Sequence, residues 1–186
     1  VSRGADLDRA ASLIPTSPIW AMLETPEGML NAHQIAAHPR LAGMVMGSND
    51  LAKDLRARFR PDRLPLMTGL GLCLLAARAH GRIILDGVYN AYRDLSGLRA
   101  ECEQGRDMGF DGKTLIHPDQ LAVANEVFAP SPAEIDLARR QIASFDEARV
   151  QGRGVAVLDG RIVENLHAEA ARAMLAMAEA IASRGA

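Results

Sequence analysis

Four short apolar runs constrain this chain more than any other feature: residues 19–24, 41–47, 82–89 and 112–117. Each is too short for an ordinary helix and is bounded by Pro, Gly or polar residues, so each reads as a strand. The runs do not alternate apolar with polar, the pattern of strands buried on both faces of a parallel sheet. Helical patterns lie between them. Thr25-Pro26-Glu27 reads as an N-cap, a proline at the first helical position and an acid in the first turn. Residues 62–80 and 94–108 continue the alternation. Ser131-Pro132-Ala133-Glu134 is a capping box that opens a helix running to about Val150. Residues 154–163 read as a hairpin turning at Asp159-Gly160. The alanine-rich residues 164–184 form a last helix.

Strand alternating with helix implies βαβ units and a parallel sheet. No GxGxxG follows a strand, so a dinucleotide-binding fold has no support. The expected fold class is α/β, of the (β/α)8 TIM-barrel type. A whole barrel takes about 250 residues. About four strands are visible in the 186 residues here.

Composition excludes several classes of function. The formal net charge of −2 gives no long-range field for nucleic acid or an anionic membrane. No run approaches the roughly 18–20 apolar residues that span a bilayer. Cys73 and Cys102 are far apart and form no CxxC pair, which suits a reducing cytoplasm and argues against a disulfide framework or zinc knuckle.

The polar residues cluster at the ends of the strands. Glu24 ends the first, Gly47-Ser48-Asn49-Asp50 the second, Asp86-Gly87 the third and His117-Pro118 the fourth. In parallel α/β folds the carboxyl ends of strands carry the site, so these clusters are expected to converge on one face. Glu24 and Asp50 are two hard carboxylates with nothing softer nearby, a donor set suited to Mg²⁺. Taken singly, each could instead cap the helix after it. Taken as a pair on successive strand ends, they point to metal. The helix start at Ser48, Asn49 and Asp50 offers backbone N–H groups to a substrate carboxylate. An ordinary N-cap by Ser48 or Asn49 is compatible with that. Asp86 is a candidate for orienting groups in the site, with a turn-forming Asp-Gly as the alternative. His117 reads as a helix N-terminal residue, Lys113 as a core-paired or outward lysine, and His33 and His38 as surface residues that share no helix face.

Met22-Leu23-Glu24-Thr25-Pro26-Glu27-Gly28 resembles the strand that supplies the first magnesium ligand in HpcH/HpaI aldolases and citrate lyase beta-subunit-like proteins. Gly47-Ser48-Asn49-Asp50-Leu51-Ala52 resembles the segment that supplies the second, and the spacing of 26 residues between Glu24 and Asp50 fits. Leu85-Asp86-Gly87-Val88-Tyr89 and the stretch from Gly109 to Pro118 look like the strand-seven and strand-eight motifs of the CoA-ester lyase branch. Val127-Phe128-Ala129-Pro130-Ser131 and Gly160-Arg161-Ile162-Val163 look like its C-terminal extension.

The resemblance implies a Mg²⁺-dependent carbon–carbon lyase. It would cleave a 3-hydroxyacyl-CoA such as malyl- or citramalyl-CoA to a 2-oxo acid and an acyl-CoA. Metal would sit on Glu24 and Asp50, and substrate on Ser48, Asn49, Asp50 and Asp86. It also implies four earlier strands that are not visible here, with Val1 near the end of strand four, so that residues 1–130 would be the later part of the (β/α)8 barrel, about strands five to eight, and residues 131–186 a C-terminal extension with the hairpin and helices. In malyl- and citramalyl-CoA lyases an aspartate after the hairpin acts as acid/base in a neighbouring subunit's site, which implies a homotrimer or hexamer. The matching position here is Glu164, with His167 as a second candidate. Two readings on the same scaffold are a pyruvate-type aldolase and a malyl-CoA thioesterase. A third is a carrier-dependent, non-autonomous beta subunit of a citrate lyase-like complex, partnered by an acyl-carrier protein.

Overall fold

The computed structural model describes residues 1–184, and the chain divides into two compact units, 1–128 and 129–186. In the first unit, strands β1 (Ile19–Leu23), β2 (Leu41–Met46), β3 (Ile83–Asp86) and β4 (Gly112–Lys113) form one parallel sheet in that order. Helices connect them: α2 (Pro26–Leu30) and α3 (Ala32–Ala36) after β1, α4 (Ser48–Asp54) and α5 (Met67–Ala79) after β2, and α6 (Leu95–Met108) after β3. Two helices lie outside the runs read from the sequence, α1 (Gly4–Leu13) and α7 (Leu121–Phe128).

Local chemistry sets the helix starts. Thr25 accepts a hydrogen bond from the Gly28 N–H at 3.0 Å, with Pro26 in the first helical turn, as expected of an N-cap. Asp94 caps α6 through Gly97. That helix ends at Gly109, whose φ of +104° suits a residue without a Cβ. The helix expected over 62–80 begins later. Arg63 takes a left-handed φ of 51°, a 3₁₀ turn follows at Leu64–Leu66, and α5 starts at Met67.

The sheet corrects one expectation. Its strands are not buried on both faces: Ile19, Ala21 and Leu23 are buried, whereas Trp20 and Met22 are 46% and 45% exposed. The buried side meets α2, α3 and α5, where Met29, Ile35, Leu70 and Cys73 join the strand residues in one core. Among the described residues of this unit no layer covers the opposite face. The third and fourth strands are also shorter than the apolar runs. At Gly87 a side chain would collide with Ser48, so the backbone turns off there. Beyond Lys113 the chain is held by Thr114 on the Asp86 carbonyl and by Gln120 on the Ile116 N–H. His117 then accepts from the Asp119 N–H and starts a 3₁₀ turn, as its place before Pro118 implies.

In the second unit, α8 (Pro132–Val150) opens with the expected capping box. Ser131 and Glu134 exchange hydrogen bonds of 3.2 and 2.8 Å. Strands β5 (Ala156–Leu158) and β6 (Arg161–Val163) form the hairpin, with positive φ at Asp159 and Gly160. Helix α9 (Asn165–Arg184) follows, and Phe145, Ala148, Ala156, Val163 and Ala168 make a small core. No helix among the described residues is long and apolar enough to cross a membrane.

Burial pushes the Cys73 thiol up to about 12 and the Cys102 thiol to about 11. Only the thiolate reacts, so both are expected to resist iodoacetamide at pH 8 in the native protein and to react after denaturation. Peptide mass spectrometry checks this; rapid native labelling of either would contradict the packing described.

Candidate active site

Parallel register places Glu24 at one edge of the row of strand ends, beside the end of β2. Leu23 pairs with Met46, and the Gly47 N–H donates to the Leu23 carbonyl at 2.8 Å. Glu24 therefore leaves its strand directly opposite Gly47. Its side chain lies against that glycine so closely that a Cβ there would overlap the Glu24 Cβ and stand 2.9 Å from Oε2. Glu24 is half-buried, and its carboxylate has no hydrogen-bond or ion-pair partner among the described residues. A half-buried carboxylate without a partner is costly unless a ligand completes it.

Asp50 sits in the first turn of α4, three residues beyond Gly47. Its side chain is 59% exposed, and its nearest cation, Lys53, is 3.7 Å away, too far for a strong hydrogen bond. The N-cap of α4 is Gly47, and no side chain caps the helix. The ordinary cap by Ser48 or Asn49 is thus absent, and the first-turn N–H groups of Ser48, Asn49 and Asp50 have no side-chain acceptor among the described residues. Ser48 is buried beside Gly87. The Asn49 amide is engaged with Asn90 in a reciprocal pair of 3.1 and 2.7 Å, which ties the start of α4 to the loop after β3.

These residues fit a hard divalent cation. Two oxygen donors from adjacent strand ends, one of them unpartnered and the other loosely held, match the one or two carboxylates that Mg²⁺ takes from a protein. Among the described residues no group of three or more His, Cys, Asp or Glu is placed to hold a metal. His33 pairs with His80 at 3.2 Å. His38, expected at the surface, has a side chain only 10% exposed; it meets Asp8 at 3.3 Å and accepts from the Arg40 N–H.

Asp86 requires a correction. Read from the sequence as a substrate-orienting group, it has no exposed surface. Its oxygens accept from Arg63 at 2.7 and 2.8 Å, from Lys113 at 3.1 Å and from the Gly87 N–H at 2.8 Å. Lys113 also donates to Glu101 at 2.6 Å, and Arg63 to Gln104 at 2.6 Å. Asp86 thus fastens the loop at Arg63 to β3, β4 and α6 and meets any ligand only through them. Lys113 takes the core-paired of its two sequence readings, while Arg63, at the start of the run read as helix 62–80, lies instead in an irregular loop. In the second unit the Glu164 carboxylate is exposed and free of partners among the described residues. His167 is engaged locally, accepting from the Glu164 N–H at 3.0 Å.

Two substitutions probe this arrangement. Asp86→Ala strands two buried cations and is expected to lower unfolding free energy by about 3–5 kcal/mol, read by urea denaturation. Gly47→Ala pushes Glu24 out of place and is expected to weaken Mg²⁺ binding by about tenfold in calorimetry, with the fold retained in circular dichroism.

Comparison with known proteins places this geometry. Residues 10–118 match the HpcH/HpaI aldolase/citrate lyase family model. A (3S)-malyl-CoA thioesterase from Cereibacter sphaeroides strain KD131 is 72% identical over 98% of this chain and 64% of its own length. A citrate lyase subunit beta from Escherichia coli K12 is 33% identical over 93% of this chain and 58% of its own. The chain thus spans just under two thirds of the curated thioesterase. Among solved structures, CitE from Mycobacterium tuberculosis in complex with magnesium, acetoacetate and coenzyme A superimposes with a TM-score of 0.82 at 30% identity, over 96% of this chain and 66% of that one. By its matching segment and its relatives, this chain belongs to the HpcH/HpaI aldolase/citrate lyase family.

Proposed function

We propose that this chain carries the metal-binding region of an enzyme that hydrolyses the thioester of (3S)-malyl-CoA, or of a close 3-hydroxyacyl-CoA, to the hydroxy acid and free CoA. The observation that carries the metal reading is the unpartnered Glu24 carboxylate held against Gly47, beside the uncapped start of α4. The choice of reaction rests on the malyl-CoA thioesterases, 71–72% identical to this chain. That moves the emphasis from the carbon–carbon lyase expected from the motifs to its thioesterase alternative.

Glu24 and Asp50 would hold Mg²⁺, which when bound would act as a Lewis acid, offsetting the charge of the substrate carboxylate and polarising a substrate carbonyl. The first-turn N–H groups of Ser48, Asn49 and Asp50 receive the substrate carboxylate. Glu164, acting in a neighbouring subunit's site of a homotrimer or hexamer, takes a proton from the water that attacks the thioester carbonyl. The carbon–sulfur bond breaks and CoA leaves as the thiol. In the lyase reading, favoured by the citrate lyase beta relatives, the same carboxylate would take the proton of the 3-hydroxyl as the bond to the 2-oxo acid breaks and pass it to the thioester α-carbon. The carrier-dependent reading keeps that chemistry but needs an acyl-carrier protein.

On this proposal β1 to β4 are strands five to eight of a (β/α)8 barrel, with residues 1–130 in the barrel and 131–186 as its extension. The greater length of the relatives and the open face at Trp20 and Met22 support this. Two buried, unpaired thiols suit a cytoplasmic setting.

The test uses the full-length protein with (3S)-malyl-CoA and Mg²⁺, measuring free thiol and glyoxylate in parallel. Thiol release without glyoxylate is the expected result. Glyoxylate with acetyl-CoA would replace hydrolysis by the lyase reading, and turnover only on an acyl-carrier thioester would favour the carrier-dependent one. Glu164→Ala is expected to lower kcat by about 10²- to 10⁴-fold with Mg²⁺ affinity unchanged. Near-full activity in that variant would remove Glu164 from the mechanism.

A further inference from the structure

Residues 56–63 read Arg-Ala-Arg-Phe-Arg-Pro-Asp-Arg, four arginines and one acid in a chain whose net charge is −2. Arg60 is held by Asp62 at 2.6 and 2.9 Å, and Arg63 by the buried network around Asp86. Arg56 and Arg58 make no hydrogen bond or ion pair among the described residues. This loop forms one wall of a cleft of about 460 Å³ between the starts of α4 and α6. The volume falls within the range of small-molecule sites, about 300–1,000 Å³.

The lining combines apolar surface with few polar groups. Ala52, Leu66 and Val88 are apolar, while Asn49, Tyr89 and Asn90 supply polar groups. Phe59 is 68% exposed, a ring without a packing partner. Three arginines line the cleft, Arg58, Arg60 and Arg63, against a single acid, Glu101, which Lys113 neutralises at 2.6 Å. Asp94, nearby, is engaged by the Tyr89 hydroxyl and the Gly97 N–H. Its hydrogen bond to that hydroxyl pushes the Tyr89 phenol up to about 12, so Tyr89 remains neutral. Arg63 Nη2 is buried without an acceptor, although every other buried side-chain N or O atom among the described residues has a partner. An orphaned N–H of this kind costs free energy that an incoming acceptor relieves.

We propose that this cleft binds a phosphate-bearing group on an apolar or aromatic body, with Arg58 meeting the phosphate and Phe59 flanking the body. One lining arginine without an ion-pair partner, Arg58, an orphaned guanidinium N–H on Arg63 and an exposed ring together suit that chemistry better than a neutral or cationic ligand. The phosphate belongs either to the CoA portion of the substrate, which rests on the function proposed above, or to a separate phosphorylated small molecule.

The experiment titrates full-length protein with adenosine 3′,5′-bisphosphate by calorimetry, comparing wild type, Arg58→Ala, Arg58→Lys and, as a charge control in the second unit, Arg139→Ala. Arg58→Ala is expected to weaken binding by about tenfold or more, with partial recovery in Arg58→Lys and little change in Arg139→Ala. Competition with malyl-CoA, together with a raised KM for malyl-CoA but not for malyl-pantetheine, assigns the phosphate to the substrate. Lost bisphosphate binding with unchanged KM assigns it to a separate ligand. No binding by wild type at millimolar bisphosphate, or equal affinity in Arg58→Ala, overturns the proposal. The titration reads the cleft even if malyl-CoA is not turned over, so failure of the proposed function is separable from failure of this site.

Discussion

The contact between Glu24 and Gly47 is the constraint on which the site depends. Parallel pairing of β1 and β2 brings the two strand ends together, and only a residue without a side chain leaves room for the glutamate there. The same glycine serves as the N-cap of α4, so one residue both seats a carboxylate and leaves a helix start uncapped. Gly87 has the matching role at the end of β3, where Ser48 presses against it. Strand ends packed this tightly hold a site rigidly, because moving one requires moving its neighbour.

The buried ions around Asp86 organise the other side of the cluster. Arg63, Lys113, Asp86 and Glu101 come from a loop, two strands and a helix, and each charge meets an opposite one. Burying such a network costs desolvation, so its value lies in orientation more than in net stability. It fixes the arginine-rich loop in place, with Arg63 in a left-handed backbone conformation that the loop would not favour alone. Together with the Asn49–Asn90 amide pair, it links the strand end at Gly47 to the neighbouring cleft.

Much of this is legible in the residues. The capping boxes and turns can be read to within a residue or two because Thr25, Ser131, Asp159 and Gly160 act through local hydrogen bonds and backbone preferences. Strand order follows from alternation with helices. Strand length does not, because β3 ends before a Gly87 packed against Ser48, a contact far away in sequence. The burial pattern of β1 is hidden because an unbroken apolar run does not reveal which of its faces is covered. Asp86 falls at the expected strand end, but its burial against Arg63 is hidden, since that partner is 23 residues away at the start of a run that reads as helix. Glu24 and Asp50 are legible as a pair only because both lie just beyond the ends of successive strands, and their proposed role as metal ligands is the claim most in need of direct measurement.

That measurement is a Mn²⁺ titration of the full-length protein followed by electron paramagnetic resonance, comparing wild type with Glu24→Gln and Asp50→Asn. Both replacements keep side-chain size and remove the charge. Wild type is predicted to give a bound Mn²⁺ signal that Mg²⁺ displaces. In either variant binding should weaken by at least about tenfold, a loss that even outer partners of metal ligands can cause. Wild-type Mn²⁺ affinity retained in Glu24→Gln would contradict the proposed metal site, because the unpartnered carboxylate against Gly47 would then have no metal to hold.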